Sequence, residues 1–371
     1  MIDSTATYKS IPHLLHKRME VIDGFRGLAV LLVIAYHYLP FFSFGWIGVD
    51  LFFVISGFLI TGKLIESLGT ANYFSSFYLN RILRIVPLYY LVLVVFFFFL
   101  PWLLPAFVSG SVNQLLSQQV YYWTFTVNFY NALYGWSPNV MLVPMWSLAC
   151  EMQFYLIWPF VVLIIYKIDK RYFTHILILF IFLTVLYRLS GNYKGQLSAA
   201  YTYVLLPSRL DSFCIGALLY VIFNDNNFVQ LLRKGWMCSF VAVLLALCIM
   251  YYQGQAWHLD AATTSKFGYT LDALFWAGII AFVKSPGSRF FTKIFTSKWL
   301  VQAGKYSYGM YILHVPVKVI LLKLSGNTGL ATSNYYLTML ISFVFTIACS
   351  FASYHLIEKT FLQYKRGLSL N

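Results

Sequence analysis

The chain has 371 residues, of which 60% are hydrophobic, 20% aromatic and only 10% charged. With a mean hydropathy of +0.72, it carries more apolar surface than a water-soluble fold can cover, so the composition excludes a soluble globular protein. The net charge of +14 is typical of proteins that bind nucleic acid, but the distribution of the basic residues indicates a different cause.

Apolar stretches long enough to cross a bilayer recur along the whole chain. We predict an all-α fold, a polytopic transmembrane bundle of about ten spanning helices with one additional re-entrant or interfacial helix. The predicted spans are residues 28–43, 46–63, 84–101, 147–166, 173–189, 201–222, 237–252, 268–284, 302–323 and 336–356. Residues 1–20 and 361–371 are predicted as cytoplasmic tails of a membrane domain formed by residues 21–360.

The basic residues concentrate on one side of this predicted bundle. With the N-terminus inside the cell, about twenty of the 26 Lys and Arg fall in cytoplasmic segments or at their edges. Arg188 is one of the few expected in an external loop. This bias explains the charge without a nucleic-acid partner, and it predicts a plasma-membrane protein with both termini in the cytoplasm.

Two segments between the spans need a separate interpretation. Residues 101–144 contain no Lys or Arg, which suits an external position, although the stretch 115–134 is apolar enough to span. A crossing there would turn the later basic loops outward, so we predict a re-entrant or interfacial helix over 115–134. Residues 63–84 mix polar and aromatic side chains, which predicts an interfacial helix on the cytoplasmic face.

The first span carries two ionisable side chains, Arg26 and His37, eleven residues apart. Eleven residues make three helical turns, so both side chains project from one face, about 16 Å apart along the axis. The second span contains Asp50. Because ionisable groups inside a membrane are costly and usually face a cavity or the bundle interior, each is a candidate for a functional site.

Near the cytoplasmic face, the basic residues predict an anion site. Arg81 and Arg84 lie three residues apart on one helical face, and the planar guanidinium group suits phosphate. Arg26 and Lys305 lie at a similar depth. The alternative for the arginine pair is ordinary anchoring to anionic lipid headgroups.

Towards the external half, the polar residues predict an acid–base site. His37 is the candidate general base, because its unperturbed pKa lies near neutrality. A carboxylate, Asp50 or Glu151, is the candidate for orienting its ring. Further candidates for contacts with a substrate are Trp146, Arg209, Asp211, Tyr311 and His314.

Structural roles compete with these functional ones. Buried ion pairs that lock helices together would also account for Asp50, Arg209 and Asp211. Arg209 and Asp211 point to different helix faces and need not pair with each other. For His314, a hydrogen-bonded interior histidine is the competing interpretation, and aromatic belts at the membrane interface compete with sugar stacking.

Other classes of site have no support in the sequence. The five cysteines lie in or beside apolar segments without the spacing of metal ligands, so we expect packing roles and no metal. Motifs for dinucleotides, P-loop phosphates and the common hydrolase nucleophiles do not occur.

From Val21 to Glu358, the chain resembles the integral-membrane acyltransferase 3 family. An arginine and a histidine separated by ten residues match Arg26 and His37. The family's Gly-Val-Asp-Phe-Phe-Ser-Gly-Phe-Leu pattern matches Gly48–Leu59, except that Leu51 stands beside the paired phenylalanines. Its arginine-rich segment appears as Arg81 and Arg84, with Asn80 where a further arginine is common. The family's tryptophan-serine-leucine-glutamate element matches Trp146, Ser147, Leu148 and Glu151.

The resemblance implies transfer of an acyl group, usually acetyl, from cytoplasmic acetyl-coenzyme A to a hydroxyl of a surface or exported glycan. His37 carries over as the essential catalytic residue and Arg26 as its partner. We expect Arg26, Arg81, Arg84 and Lys305 to hold the coenzyme A phosphates, with the thioester beside His37. Direct attack by the acceptor and an acyl-histidine intermediate both stay open.

Two other functions fit parts of the same pattern. A proton-coupled sugar or metabolite transporter also carries intramembrane His, Asp, Glu and Arg, but we find no repeat of one half of the chain in the other. An N-acyltransferase acting on an amino sugar would use similar chemistry. The expected partners are therefore acyl-coenzyme A, a glycan or lipid-linked sugar acceptor and the lipid bilayer, without nucleic acid.

Overall fold

Helices account for nearly all of the computed structural model, which describes residues 4–103, 112–137, 140–193, 199–224, 244, 264–284, 288–326 and 334–368. No strand occurs within these ranges. The helices are α1 (Ser4–Tyr38), α2 (Ile47–Glu66), α3 (Tyr73–Val94), α4 (Val112–Trp123), α5 (Val127–Tyr134), α6 (Met145–Asp169), α7 (Tyr172–Tyr193), α8 (Ala199–Val204), α9 (Leu206–Asn224), α10 (Tyr269–Lys284), α11 (Arg289–Phe295), α12 (Lys298–Lys305), α13 (Ser307–Leu324), α14 (Tyr335–Ser353) and α15 (Lys359–Leu368). Short π-helical turns extend α3 and α14 and precede α10.

Nine helices in the described ranges are long and apolar enough to cross a membrane. They correspond to nine of the ten predicted spans, which confirms the all-α polytopic bundle. The remaining predicted span, 237–252, lies outside the described residues.

The segment 115–134 does not cross the membrane as one helix. It forms α4 and α5, of 12 and 8 residues, and each is shorter than the about 20 residues that a bilayer requires. The break lies at Phe125, which has a positive φ of 54°. The Thr124 hydroxyl donates to the Val120 carbonyl oxygen at 2.7 Å, a local bond typical of a helix that ends there.

The interfacial helix predicted for residues 63–84 is wrong. Helix α2 continues through Lys63, and α3 already begins at Tyr73 as part of a 31-residue spanning helix that ends at Leu103. A helix of this length exceeds the about 30 Å hydrocarbon core, so its polar first turns can lie outside while the rest spans. Arg81 and Arg84 therefore lie inside a spanning helix.

Helices α2 and α9 pack closely because glycines face each other's backbone. A Cβ at Gly57 would lie 1.9 Å from the Phe213 carbonyl oxygen, and one at Gly216 would lie 2.0 Å from that of Val54. Small residues at helix contacts allow this close approach in membranes.

Helices α1 and α13 run side by side in the same direction. At the start of the pair, a Cβ at Gly304 of α12 would lie 1.8 Å from the Asp23 carbonyl oxygen. At its end, the Tyr38 hydroxyl donates to the His314 carbonyl oxygen at 2.8 Å. Polar residues on α13 therefore lie along the same path that leads from Arg26 to His37 on α1.

Candidate functional site

Five spanning helices, α1, α2, α3, α6 and α13, enclose a cavity of about 770 Å³, a volume that includes its opening to solvent. Apolar side chains of α2 form much of the wall. The polar lining residues are Arg26, Ser56, Arg81, Arg84, Ser147, Glu151, Tyr155, Ser307, Tyr308 and Tyr311.

Three guanidinium groups line this cavity, so the arginines that the sequence placed near one face are brought together. Arg26 pairs with Asp23 at 3.3 Å. Arg81 and Arg84 form no ion pair with any residue in the described ranges. The Arg81 guanidinium lies over the Tyr155 ring at 5.8 Å, and its buried Nε has no hydrogen-bond partner there. The cavity wall carries three guanidinium groups and one carboxylate. This excess of positive charge suits an anionic ligand.

That carboxylate, Glu151, is held by two hydroxyl groups. Its Oε1 accepts hydrogen bonds from Ser56 Oγ and from the Tyr155 hydroxyl. The prediction that Glu151 belongs to an outer layer with His37 is therefore wrong, because α6 places it with the arginines. Sequence reasoning missed Ser56 and Tyr155, although Tyr155 follows Glu151 by one helical turn, the spacing at which side chains meet.

Ser147 and Tyr311 form a second polar contact in the cavity wall, their hydroxyl oxygens 2.5 Å apart. Tyr311, which the sequence predicts as a substrate residue, lines the cavity. It also connects the cavity to the next turn of α13, because its carbonyl oxygen lies 2.6 Å from Nδ1 of His314.

His37 lies beyond this wall and contacts His314. Nδ1 of His37 is 2.9 Å from the Val33 carbonyl oxygen and 3.3 Å from Nε2 of His314. The ring is partly exposed, and no described residue forms a hydrogen bond with its Nε2. Neither Asp50 nor Glu151 contacts it, so the predicted orienting carboxylate is replaced by a second imidazole.

Lys318, which was not among the predicted site residues, contacts the backbone of His37. Lys318 Nζ donates to the His37 carbonyl oxygen, one of the free carbonyls at the end of α1. The signal was present in the sequence, because Lys318 follows His314 by four residues and so lies on the same face of α13.

Asp50 and Arg209 form a buried ion pair between α2 and α9. Both side chains are fully buried, and the Ser212 hydroxyl donates to the same Asp50 oxygen at 3.1 Å. The guanidinium also stacks on Tyr269 at 4.1 Å. Neither residue lines the cavity, and the pair connects α2 to α9.

Asp211 pairs with a different arginine, as the helix faces predicted. Arg188 of α7 donates to Asp211 at 2.8 Å and to the Ser208 carbonyl oxygen at 2.6 Å. The external-loop position predicted for Arg188 is wrong, because its side chain is fully buried. Asp211 is thus also separated from the cavity.

Two further predicted residues lie outside the cavity wall. Trp146 is 4% exposed and packs against Phe53 and Tyr203, so it supports the wall from behind. Lys305 is exposed, with Nζ 4.8 Å from the Tyr354 ring. Lys305 therefore does not line the cavity with the three arginines.

Comparison with known proteins gives a family match over most of the chain. The model of a family described as "Acyltransferase domain" matches residues 19–355. The chain is 27% identical over 319 residues to the peptidoglycan O-acetyltransferase OatA of Listeria monocytogenes, covering 81% of this chain and 49% of the relative. It is 29% identical over 366 residues to the putative peptidoglycan O-acetyltransferase YrhL of Bacillus subtilis, covering 93% and 55%.

A putative O-acetyltransferase of Staphylococcus aureus is 28% identical over 328 residues, covering 81% of this chain and 51% of that protein. The chain therefore spans about half the length of the curated relatives it matches. No solved structure matches it.

Proposed function

This chain belongs to the acyltransferase 3 family, and from that premise we propose that it transfers an acetyl group from acetyl-coenzyme A to a glycan hydroxyl. The observation that carries the proposal is one cavity with three arginines at its wall and a histidine pair one helical turn beyond Tyr311. The relatives named as O-acetyltransferases favour an ester product over an amide. We place the protein in the plasma membrane with both termini cytoplasmic, as its positive charges indicate.

The arginine-lined part of the cavity is the proposed binding site for the phosphate groups of the donor. Arg81 and Arg84 form no ion pair in the described ranges, so their fork-shaped donors can bind an anionic ligand. Arg26 contributes a third guanidinium, which donates one hydrogen bond to Asp23. The thioester would then point along α13 towards Tyr311 and the histidine pair.

His37 is the proposed general base. A carbonyl oxygen only accepts hydrogen bonds, so the contact with Val33 requires a hydrogen on Nδ1 of His37. The neutral ring then carries its lone pair on Nε2, on a partly exposed side chain that an acceptor hydroxyl can reach. This nitrogen takes the hydroxyl proton while the oxygen attacks the thioester carbonyl. The C–S bond breaks, and the proton passes from His37 to the departing thiolate.

Glu151 has a different proposed role from the one that the sequence suggested. Because Tyr155 donates to Glu151 and also lies beneath the Arg81 guanidinium, the carboxylate fixes the tyrosine that supports this arginine. Glu151 thereby shapes the donor site and leaves the orientation of His37 to other groups.

The test uses purified protein in lipid with acetyl-labelled coenzyme A and a pool of oligosaccharide acceptors. Wild type is expected to release free thiol and to label sugar through an ester, and His37→Ala is expected to lose at least about 100-fold in rate. His175→Ala changes an exposed histidine of α7 and serves as the matched control. The proposal fails if wild type releases no thiol, or if His37→Ala turns over as fast as His175→Ala.

A further inference from the structure

Two imidazole rings meet at the outer end of the α1–α13 pair, although 277 residues separate them in sequence. Nδ1 of His37 and Nε2 of His314 are 3.3 Å apart, with the ring centroids 4.8 Å apart and the planes at 69°. His314 is fully buried, whereas His37 is partly exposed. His314 can therefore act on a substrate only through a neighbouring group, and His37 is its partly exposed neighbour.

A backbone carbonyl oxygen beside each ring determines which of its nitrogens carries the hydrogen. Nδ1 of His37 faces the Val33 carbonyl oxygen at 2.9 Å, and Nδ1 of His314 faces that of Tyr311 at 2.6 Å. Since a carbonyl oxygen has no hydrogen to give, both Nδ1 atoms carry one. His314 Nε2 therefore carries a lone pair and lies 3.3 Å from His37 Nδ1, whose one hydrogen it shares with the Val33 carbonyl oxygen. The other lone pair, on His37 Nε2, has no partner among the described residues.

Other contacts keep the pair in this arrangement. The Tyr38 hydroxyl donates to the His314 carbonyl oxygen at 2.8 Å and lies 2.9 Å from the Thr346 hydroxyl of α14. Lys318 donates to the His37 carbonyl oxygen from the same face of α13. No carboxylate in the described ranges contacts either ring, so the side-chain partner of His37 there is an imidazole.

Building on the function proposed above, we propose that His314 is the positioning residue of His37. Its Nε2 accepts from the Nδ1–H group that His37 shares with the Val33 carbonyl oxygen, which keeps the base nitrogen on the exposed edge of the ring. When His37 Nε2 takes the proton of the acceptor hydroxyl, the N–H···N contact becomes a hydrogen bond from a cation and strengthens. An imidazole thus does here what a carboxylate does beside the histidine of a Ser-His-Asp triad.

The experiment compares His314→Gln with His314→Asn, because the two amides reach different positions. The Gln amide oxygen can occupy the place of Nε2 and accept from His37, whereas the shorter Asn side chain ends near the place of Nδ1. Acetyl transfer is measured as kcat and as KM for acetyl-coenzyme A. Tyr335→Phe removes a hydroxyl that donates to the Tyr38 carbonyl oxygen at 3.1 Å, next to the pair, and serves as the control for local disturbance.

We expect His314→Gln to keep kcat within about tenfold of wild type and His314→Asn to lose at least about 100-fold, as the loss of a functional base requires. The donor KM should stay unchanged in both variants, and Tyr335→Phe should behave as wild type. Equal kcat values for the Gln and Asn variants overturn the proposal, as does a loss that appears in the donor KM. If wild type itself transfers no acetyl group, the function proposed above fails instead.

Discussion

Two groups of arginines on the spanning helices differ in what surrounds them. Arg188 and Arg209 each contact an aspartate, and all four side chains of these ion pairs are fully buried. Arg81 and Arg84 line a cavity and have no such partner among the described residues. A cation inside a membrane protein requires a compensating charge. We therefore assign Arg188 and Arg209 to helix packing, and Arg81 and Arg84 to a site that an anionic ligand completes.

The largest expected effect is on the ion pair that holds α2 to α9. Asp50→Ala leaves the Arg209 guanidinium buried without its carboxylate, which should lower the free energy of unfolding by about 3–5 kcal/mol. Thermal unfolding in detergent measures the loss. The double variant Asp50→Ala/Arg209→Met removes both charges and should recover most of the stability. An unchanged midpoint for Asp50→Ala would show that this pair does not hold the helices.

The cavity arginines should respond in the opposite way. Arg81→Gln and Arg84→Gln should leave the unfolding midpoint nearly unchanged and raise the KM for acetyl-coenzyme A about tenfold or more each. A hydrogen bond to a charged group contributes about 1.5–3 kcal/mol, and 1.4 kcal/mol is a factor of ten. Arg289→Gln, at an exposed position on α11, is the matched control. Destabilisation without an effect on KM would move these arginines into the structural group.

The smallest effect concerns the support beneath Arg81. Tyr155→Phe keeps the ring below the guanidinium but removes the hydroxyl that donates to Glu151. Loss of one hydrogen bond of about 1 kcal/mol should raise the donor KM about fivefold. Steady-state kinetics beside Tyr166→Phe, which changes a tyrosine of the same helix outside the cavity wall, checks this. A donor KM equal to that of the control would disconnect Tyr155 from the donor site.

The spanning helices and the family motifs could be predicted from the sequence, because they depend on local spacing. Hydropathy located nine described spans, and the family resemblance drawn from Arg26, His37 and the other motifs is confirmed by the match over residues 19–355. The three-residue spacing of Arg81 and Arg84 indicated one helical face, and both line one cavity. The error over residues 63–84 has a local cause, since polar residues in the first turns of α3 hide the start of a long helix.

The partners of the charged groups could not be predicted, because they depend on how distant helices pack. Asp50 and Arg209 are 159 residues apart in sequence, and nothing in either segment indicates that α2 and α9 are neighbours. The same holds for His37, whose expected carboxylate partner was chosen by depth alone. Depth orders residues along the membrane normal but does not say which helices adjoin, and α13 rather than α2 or α6 supplies the partner.

The most direct test of the cavity as donor site is equilibrium binding in lipid nanodiscs. Coenzyme A is compared with pantetheine, which lacks the phosphate groups and the adenosine, for wild type and for the double variant Arg81→Gln/Arg84→Gln. We predict that wild type prefers coenzyme A by about 100-fold or more, the contribution of two charge-assisted hydrogen bonds, and that the double variant loses most of this preference. Equal affinity of wild type and the double variant for coenzyme A would contradict the assignment of these arginines to the donor.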